Sequence, residues 1–166
     1  MIIGIIGSGG REHAICEKIS KSKKVKKIYC FPGNAGTSLI AKNIKINIDD
    51  FDKIKEFVVK NKIDLLVVGP EKPLVNGIVN YFKNHNIKIF GPEKIASQLE
   101  GSKTFTKKIC EKYKIPTAKF ADLKNLKEAN LFLKKSSFPI VIKADGLASG
   151  KGVYICENIK IAKKAV

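Results

Sequence analysis

What the sequence lacks narrows its class first. No apolar run approaches the roughly 20 residues that a membrane-spanning helix needs, so no membrane partner is expected. The opening Met1-Ile2-Ile3-Gly4-Ile5-Ile6 has no basic residue ahead of its apolar stretch and passes straight into a glycine-rich turn. That is unlike a secretory leader and reads as a buried strand. The four cysteines, Cys16, Cys30, Cys110 and Cys156, form no CxxC pair and no Cys/His ligand spacing. Reduced thiols used as small apolar residues in a cytoplasmic protein are the expectation. The two histidines, His13 and His85, stand apart, and no Ser/His/Asp or Cys/His set is visible. His13 falls in the first turn of a helix beside the glycine loop, and His85, in Asn84-His85-Asn86, reads as a solvated turn residue.

Arginine is nearly missing as well. Arg11 stands alone among lysines that bring the formal charge to +17 over 166 residues. Such a charge suggests an anionic partner, but proteins that read bases and phosphates on nucleic acid favour the arginine fork. The lysines here are spread along the whole chain. A compositional drift toward Lys, Ile and Asn explains them better than a nucleic-acid footprint does, and no nucleic-acid partner is expected. A phosphate-bearing small substrate gains from the same field.

What is present is a core: 44% of the residues are hydrophobic, enough for one domain or two small ones. Short Ile- and Val-rich runs at residues 2–6, 27–31, 65–68, 88–90 and 140–143 are the strand candidates. Between them, residues 12–20, 51–60, 74–84, 102–113 and 126–135 carry helical periodicity; Phe51, Ile54, Phe57 and Val58 fall on one face. Asp49 or Asp50 can cap that helix, and Asn125 with Glu128 reads as a capping pair. Apolar strands alternating with helices predict an α/β, doubly wound parallel sheet covered on both faces. Ligands of such sheets sit beyond the carboxyl ends of the strands, which directs attention to the turns at residues 7–11, 32–36, 69–73 and 91–93. After Gly101 the pattern changes: a helix, a turn at Ile115-Pro116-Thr117, a short strand near residues 118–120, another helix, then the strand at 140–143. A boundary near Gly101 divides the chain into domains 1–101 and 102–166. Residues 159–166 read as a helix without a stop signal, so the second domain is expected to be truncated.

Two motifs carry chemistry. Gly7-Ser8-Gly9-Gly10-Arg11-Glu12-His13 follows the opening strand, where glycines permit close backbone approach and the helix offers N–H groups to an anion. Phosphate binding is favoured over a purely structural turn. A dinucleotide site is opposed by Glu12 in place of the third glycine and by Tyr29-Cys30-Phe31-Pro32, which lacks the ribose-binding acid. Asn34, in Pro32-Gly33-Asn34-Ala35-Gly36-Thr37, and Glu71, in Gly69-Pro70-Glu71-Lys72-Pro73, fall on the same sheet edge; they can meet sugar hydroxyls or an amine. The second motif runs from Pro139 through Lys143-Ala144-Asp145-Gly146-Leu147-Ala148-Ser149-Gly150-Lys151-Gly152 to Val153. It is not a P-loop, because the glycine spacing is one residue short and Gly152 replaces the Ser or Thr. Lys143 ends a strand, and the glycine loop leads back into a strand at residues 153–156. A hairpin of this type can fold over a triphosphate, with Lys151 adding charge at its tip.

Gly7-Ser8-Gly9-Gly10-Arg11-Glu12-His13-Ala14, Pro32-Gly33-Asn34-Ala35-Gly36-Thr37, Gly69-Pro70-Glu71, Phe90-Gly91-Pro92, Leu99-Glu100-Gly101-Ser102-Lys103 and Ile142-Lys143-Ala144-Asp145-Gly146-Leu147 occur in order along the whole chain. Together they resemble the phosphoribosylamine–glycine ligase family, also called glycinamide ribonucleotide synthetases. The resemblance implies a doubly wound N-terminal domain followed by an ATP-grasp domain. It implies ATP-dependent ligation of glycine to phosphoribosylamine through glycyl phosphate, with Mg²⁺ or Mn²⁺ as cofactor. By the family pattern Gly9, Gly10, Arg11, Glu12, Asn34 and Glu71 would hold phosphoribosylamine. Lys103, Lys143, Gly146, Ser149, Gly150, Lys151 and Gly152 would hold ATP, with Ser149 standing where relatives carry Ala. The metal ligands would lie beyond residue 166, so the chain is expected to be an incomplete fragment, inactive alone. A sibling ATP-grasp ligase, a dinucleotide module, a lysine-rich nucleic-acid binder and a free-standing binding domain remain as alternatives.

Overall fold

A computed structural model describes residues 1–148 and 151–166. The chain divides into two compact units, Met1–Gln98 and Leu99–Val166. Among the described residues no helix is long and apolar enough to cross a membrane.

The first unit is an α/β layer built on one parallel sheet. Its strands are β1 (Ile2–Gly7), β2 (Lys27–Pro32), β3 (Lys42–Asn43), β4 (Leu65–Val68) and β5 (Ile89–Phe90), in the order β3-β2-β1-β4-β5. All neighbouring pairs are parallel. The two-residue period of a strand sends alternate side chains to opposite faces, and both faces are apolar here. Tyr29, Phe31, Leu66 and Val68 join Ile54, Val58, Val79 and Phe82 in the larger cluster. Ile3, Ile5, Ile28, Cys30 and Cys16 form the smaller one. Thus α1 (Gly10–Ser20) covers one face, while α2 (Phe51–Lys60) and α4 (Ile78–Asn84) cover the other. Gly4 lies where Phe31 and Leu66 close over the strand: a Cβ there would stand 2.5 Å from Leu66 Cδ2.

Several expectations are corrected. Residues 74–84 are not one helix but α3 (Glu71–Val75) and α4, broken at Gly77, whose φ of +93° is a left-handed turn that favours glycine. The edge strand β3 and the helix α5 (Lys94–Gly101) were not foreseen. Of the two caps expected for α2, Asp50 is the one that acts, accepting from the Lys53 N–H at 3.1 Å.

The second unit holds α6 (Lys103–Lys112), α7 (Leu126–Lys135), the antiparallel hairpin of β6 (Ile140–Lys143) and β7 (Val153–Cys156), and α8 (Ile159–Ala165). Asn125 caps α7 by accepting the Glu128 N–H at 2.9 Å, and Glu128 accepts the Lys124 N–H in return at 2.8 Å. Leu133, Cys156 and Ala162 form a small core with Ile140, Ile142 and Ile159. The strand expected near residues 118–120 is irregular backbone. The Ala118 carbonyl accepts from the Lys107 ammonium at 2.8 Å instead of from a neighbouring strand.

Candidate functional site

In the first unit the chain runs from β1 outward to β2 and β3, then crosses back to β4 and β5 on the other side. The direction reverses between β1 and β4, and the crevice beyond their carboxyl ends is where an open parallel sheet binds its ligand. A pocket of about 370 Å³ lies there, lined by Gly7, Ser8, Gly9, Gly10, Arg11, Glu12, Ile48, Pro70 and Glu71.

Glu12 organises this pocket. It is the third residue of α1, only 3% exposed, and its Oε2 accepts the Gly9 N–H at 2.6 Å. The carboxylate lies over the ends of both central strands. A Cβ on Gly7 would stand 2.6 Å from Glu12 Cδ, and one on Gly69 would overlap Glu12 Oε1. Glycine is required at both turns because this side chain occupies the space; Gly7 also holds φ at +126°. In a dinucleotide fold a third glycine at this position leaves the space between helix and strand open for their close packing. Here a carboxylate fills it and already takes the Gly9 donor. The Gly10 and Arg11 N–H groups, in the first turn of α1, have no intrahelical acceptor.

Arg11 donates through Nη1 to the Gly69 carbonyl at 2.5 Å, and the same nitrogen lies 3.7 Å from Glu71 Oε2. Both side chains are open to solvent, 62% and 46% exposed. One cation and one anion therefore stand side by side on the rim. Glu71 is the first residue of α3, where a negative charge is favoured by the helix dipole.

Asn34 does not line the pocket. Its amide is spent on the loops: Nδ2 donates to the Ser8 and Gly9 carbonyls at 2.9 and 3.1 Å, and Oδ1 accepts the Thr37 N–H at 2.9 Å. Thr37, fully buried, donates to Asn43 Oδ1 at 2.8 Å, and Asn43 Nδ2 donates to the Asn34 carbonyl at 2.7 Å. The second loop is thus a closed network that buttresses the first. The His13 ring lies against Gly36.

In the second unit the Lys103 ammonium donates to the Gly146 carbonyl at 2.8 Å. Asp145 receives the Ser102 hydroxyl at 2.9 Å and the Thr104 N–H at 3.2 Å. Partial burial pushes the Asp145 carboxyl upward, but these hydrogen bonds, with those from the Gly146 and Lys103 N–H groups, outweigh it and hold the group below the usual carboxylate range. Lys143 ends β6 opposite Val153 and is exposed. The turn between the strands closes through Ala144 N–H to Gly152 O at 2.9 Å and Lys151 N–H to Ala148 O at 2.7 Å. Gly146 and Gly152 both have positive φ, +85° and +76°. A hairpin, not the strand–loop–helix of a P-loop, carries this glycine loop. Ser149 and Gly150 lie outside the described residues.

Residues 1–100 match the family model described as Phosphoribosylglycinamide synthetase, N domain, and residues 101–166 match Phosphoribosylglycinamide synthetase, ATP-grasp (A) domain. The chain belongs to the phosphoribosylglycinamide synthetase family. It is 53% identical over 166 residues to the phosphoribosylamine–glycine ligase of Clostridium acetobutylicum, covering 100% of this chain and 40% of that protein. It is 45% identical over 168 residues to that of Escherichia coli, covering 100% and 39%. Among solved structures, phosphoribosylamine–glycine ligase from Thermotoga maritima is similar with a TM-score of 0.75 and 34% identity, over 99% of this chain and 38% of that chain. N5-carboxyaminoimidazole ribonucleotide synthetase from Thermotoga maritima shares the fold, with a TM-score of 0.77 at 23% identity over 99% and 43%. The chain spans 40% of the length of the first of these relatives.

In this synthetase-family chain, sequence reasoning passed over Ile48 and Pro70 in the pocket lining, the Thr37–Asn43 network and Asp145. Pro70 was within a turn already singled out. Thr37 and Asp145 were likewise inside motifs already singled out, while Ile48 and Asn43 have no local signal, because their partners are brought near only by folding.

Proposed function

We propose that this chain supplies the sugar-phosphate pocket and the first part of the nucleotide site of a cytoplasmic ATP-dependent ligase of purine synthesis. Such an enzyme joins glycine to 5-phosphoribosylamine, giving glycinamide ribonucleotide, ADP and phosphate. The observation that carries the reading is the pocket at the β1/β4 reversal, with the Arg11 cation and the Glu71 carboxylate 3.7 Å apart on its rim. Phosphoribosylamine bears a phosphate at one end and an amine at the other, so it has use for both signs. The 5-phosphate takes the Arg11 guanidinium and the first-turn N–H groups of α1. Glu71 accepts from a ribose hydroxyl or from the amine. Gly9, Gly10 and Glu12 shape the floor, and Asn34 holds the floor in place.

In the first step a glycine carboxylate oxygen attacks the γ-phosphorus of ATP, and ADP departs, leaving glycyl phosphate. In the second, the phosphoribosylamine nitrogen attacks the acyl carbon, phosphate departs, and the nitrogen loses a proton as the amide forms. Positioning and charge neutralisation do most of this work. Two features of the hairpin support a nucleotide there. Val141, Val153 and Ile155 share one exposed face with Lys143, an aliphatic surface for a base that ends in a cation for phosphates. Lys103 stands at the root of the loop of residues 146–152, which closes over the phosphates with Lys151. Among the described residues no three His, Cys, Asp or Glu side chains converge as metal ligands for Mg²⁺ or Mn²⁺. Because the chain spans 40% of its relatives' length, these residues alone are expected to turn over no substrate; glycine-dependent ADP release by the purified chain would contradict that.

Thermal unfolding tests the pocket reading. A ligand that binds only the folded state raises the midpoint with its concentration. Glycinamide ribonucleotide is expected to raise it and NADH to leave it unchanged. The reverse pattern would make the pocket a dinucleotide site.

A further inference from the structure

We propose that Asp49 is a positioning residue for the pocket, clamping the wall that carries Ile48 to the helix that carries Glu71; the inference rests on the sugar-phosphate reading above. After β3 the chain runs Ile44-Lys45-Ile46-Asn47-Ile48, and the three isoleucines pack against the larger core cluster. Ile44 is tied to β2 through its N–H to the Cys30 carbonyl at 2.8 Å. Ile48, the last of the three, reaches the pocket, where only Pro70 shares its aliphatic character among glycines and polar residues.

The turn beyond Ile48 is fixed by Asn47. Asn47 Oδ1 accepts the Asp49 N–H at 3.0 Å, and the Asn47 carbonyl accepts the Asp50 N–H at 3.0 Å. Asp50 then caps α2, so the Asp49 carboxylate is left to act elsewhere. It crosses to α3: Oδ2 receives the Lys72 ammonium at 2.5 Å, and Oδ1 receives Asn76 Nδ2 at 3.2 Å. Lys72 and Asn76 are four residues apart and share a face of the helical turn. Lys72 directly follows Glu71. Both oxygens of one carboxylate thereby tie the Ile48 segment to the element that presents Glu71.

Lys72 is largely solvent-exposed, and exposed ion pairs contribute little to folding. The clamp's consequence is the separation of two pocket walls, to which ligand affinity is sensitive.

The test is calorimetric titration of the chain with glycinamide ribonucleotide, beside thermal unfolding, for wild type, Asp49→Ala, Lys72→Ala and the double variant. Each single change is expected to weaken binding by about tenfold. The double variant should bind no more weakly than Asp49→Ala, because both remove one clamp. The unfolding midpoints should stay close to wild type. Lys72→Ala alters only the helix side, so it keeps the test valid if Asp49→Ala fails to fold. Wild-type affinity in both single variants, or affinity falling only in step with the unfolding midpoint, would overturn the clamp while leaving the pocket reading intact. Failure of the wild-type chain to bind the ribonucleotide would overturn both.

Discussion

The two units differ in how they hold their glycine loops. In Met1–Gln98 the sheet is covered on both faces by apolar clusters, and the loop at residues 7–11 is braced by a buried glutamate below and by the Asn34–Thr37–Asn43 network beside it. In Leu99–Val166 one small cluster packs one face of the hairpin, while Val141, Val153 and Ile155 on the other face are exposed. Around its glycine loop, Asp145 accepts from Ser102, Lys103 donates to the Gly146 carbonyl, and the Ala144 N–H donates to the Gly152 carbonyl. A pocket braced on every side is pre-organised for its ligand and loses little order on binding.

The comparison breaks first on stability. Phe82→Ala empties a fully buried site in the first unit and should cost about 3–5 kcal/mol, and Leu133→Ala in the second about 2–5 kcal/mol. In urea titrations each change should move the transition of its own unit. Equal movement of one shared transition would show that the units are not independent. A smaller effect falls on the brace. Glu12→Ala removes the buried carboxylate that accepts the Gly9 N–H and, as the loss of a charge-assisted hydrogen bond, should cost about 1.5–3 kcal/mol, weakening ribonucleotide binding in the same variant. A variant as stable as wild type would remove Glu12 from its organising role.

The pH limbs sharpen the contrast further. Burial pushes the Cys30 thiol from its ordinary 9.0 to about 12, with the neighbouring Cys16 adding to the rise. The folded state therefore favours the neutral thiol. That contribution is complete below pH 9 and is lost as pH climbs toward 12. Cys30→Ala should flatten the alkaline decline of the first unit, read from its urea midpoint against pH. Asp145 behaves oppositely. Its carboxyl lies below the ordinary 3.8, so its contribution is present above that value and is lost as pH falls below it. Asp145→Asn should give a shallower acid decline in the second unit, the smallest of these effects. An unchanged slope in either variant would detach that residue from its limb.

The scaffold was legible because central strands buried on two faces carry unbroken apolar runs: β1, β2 and β4 were readable from such runs alone. The edge strand β3 was not, since two residues, Lys42 and Asn43, carry no pattern. The break at Gly77 was visible as a glycine, but the helical period of its neighbours masked it. In the site, loop glycines announced themselves because backbone needs restrict residue type. The clasps did not. Asp49 meets Lys72 across 23 residues, and Ser102 meets Asp145 across 43. Nothing in either local sequence specifies such a partner, and only the topology brings them together.

The most direct test of the central claim is a calorimetric titration of the chain with glycinamide ribonucleotide, repeated in Arg11→Ala. The Arg11 charge-assisted contact is worth about 2 kcal/mol. One saturable site in wild type, weakened by roughly thirtyfold in the variant, is the result expected of a sugar-phosphate pocket at the β1/β4 reversal. Equal binding by the two proteins, or no binding by either, would contradict it.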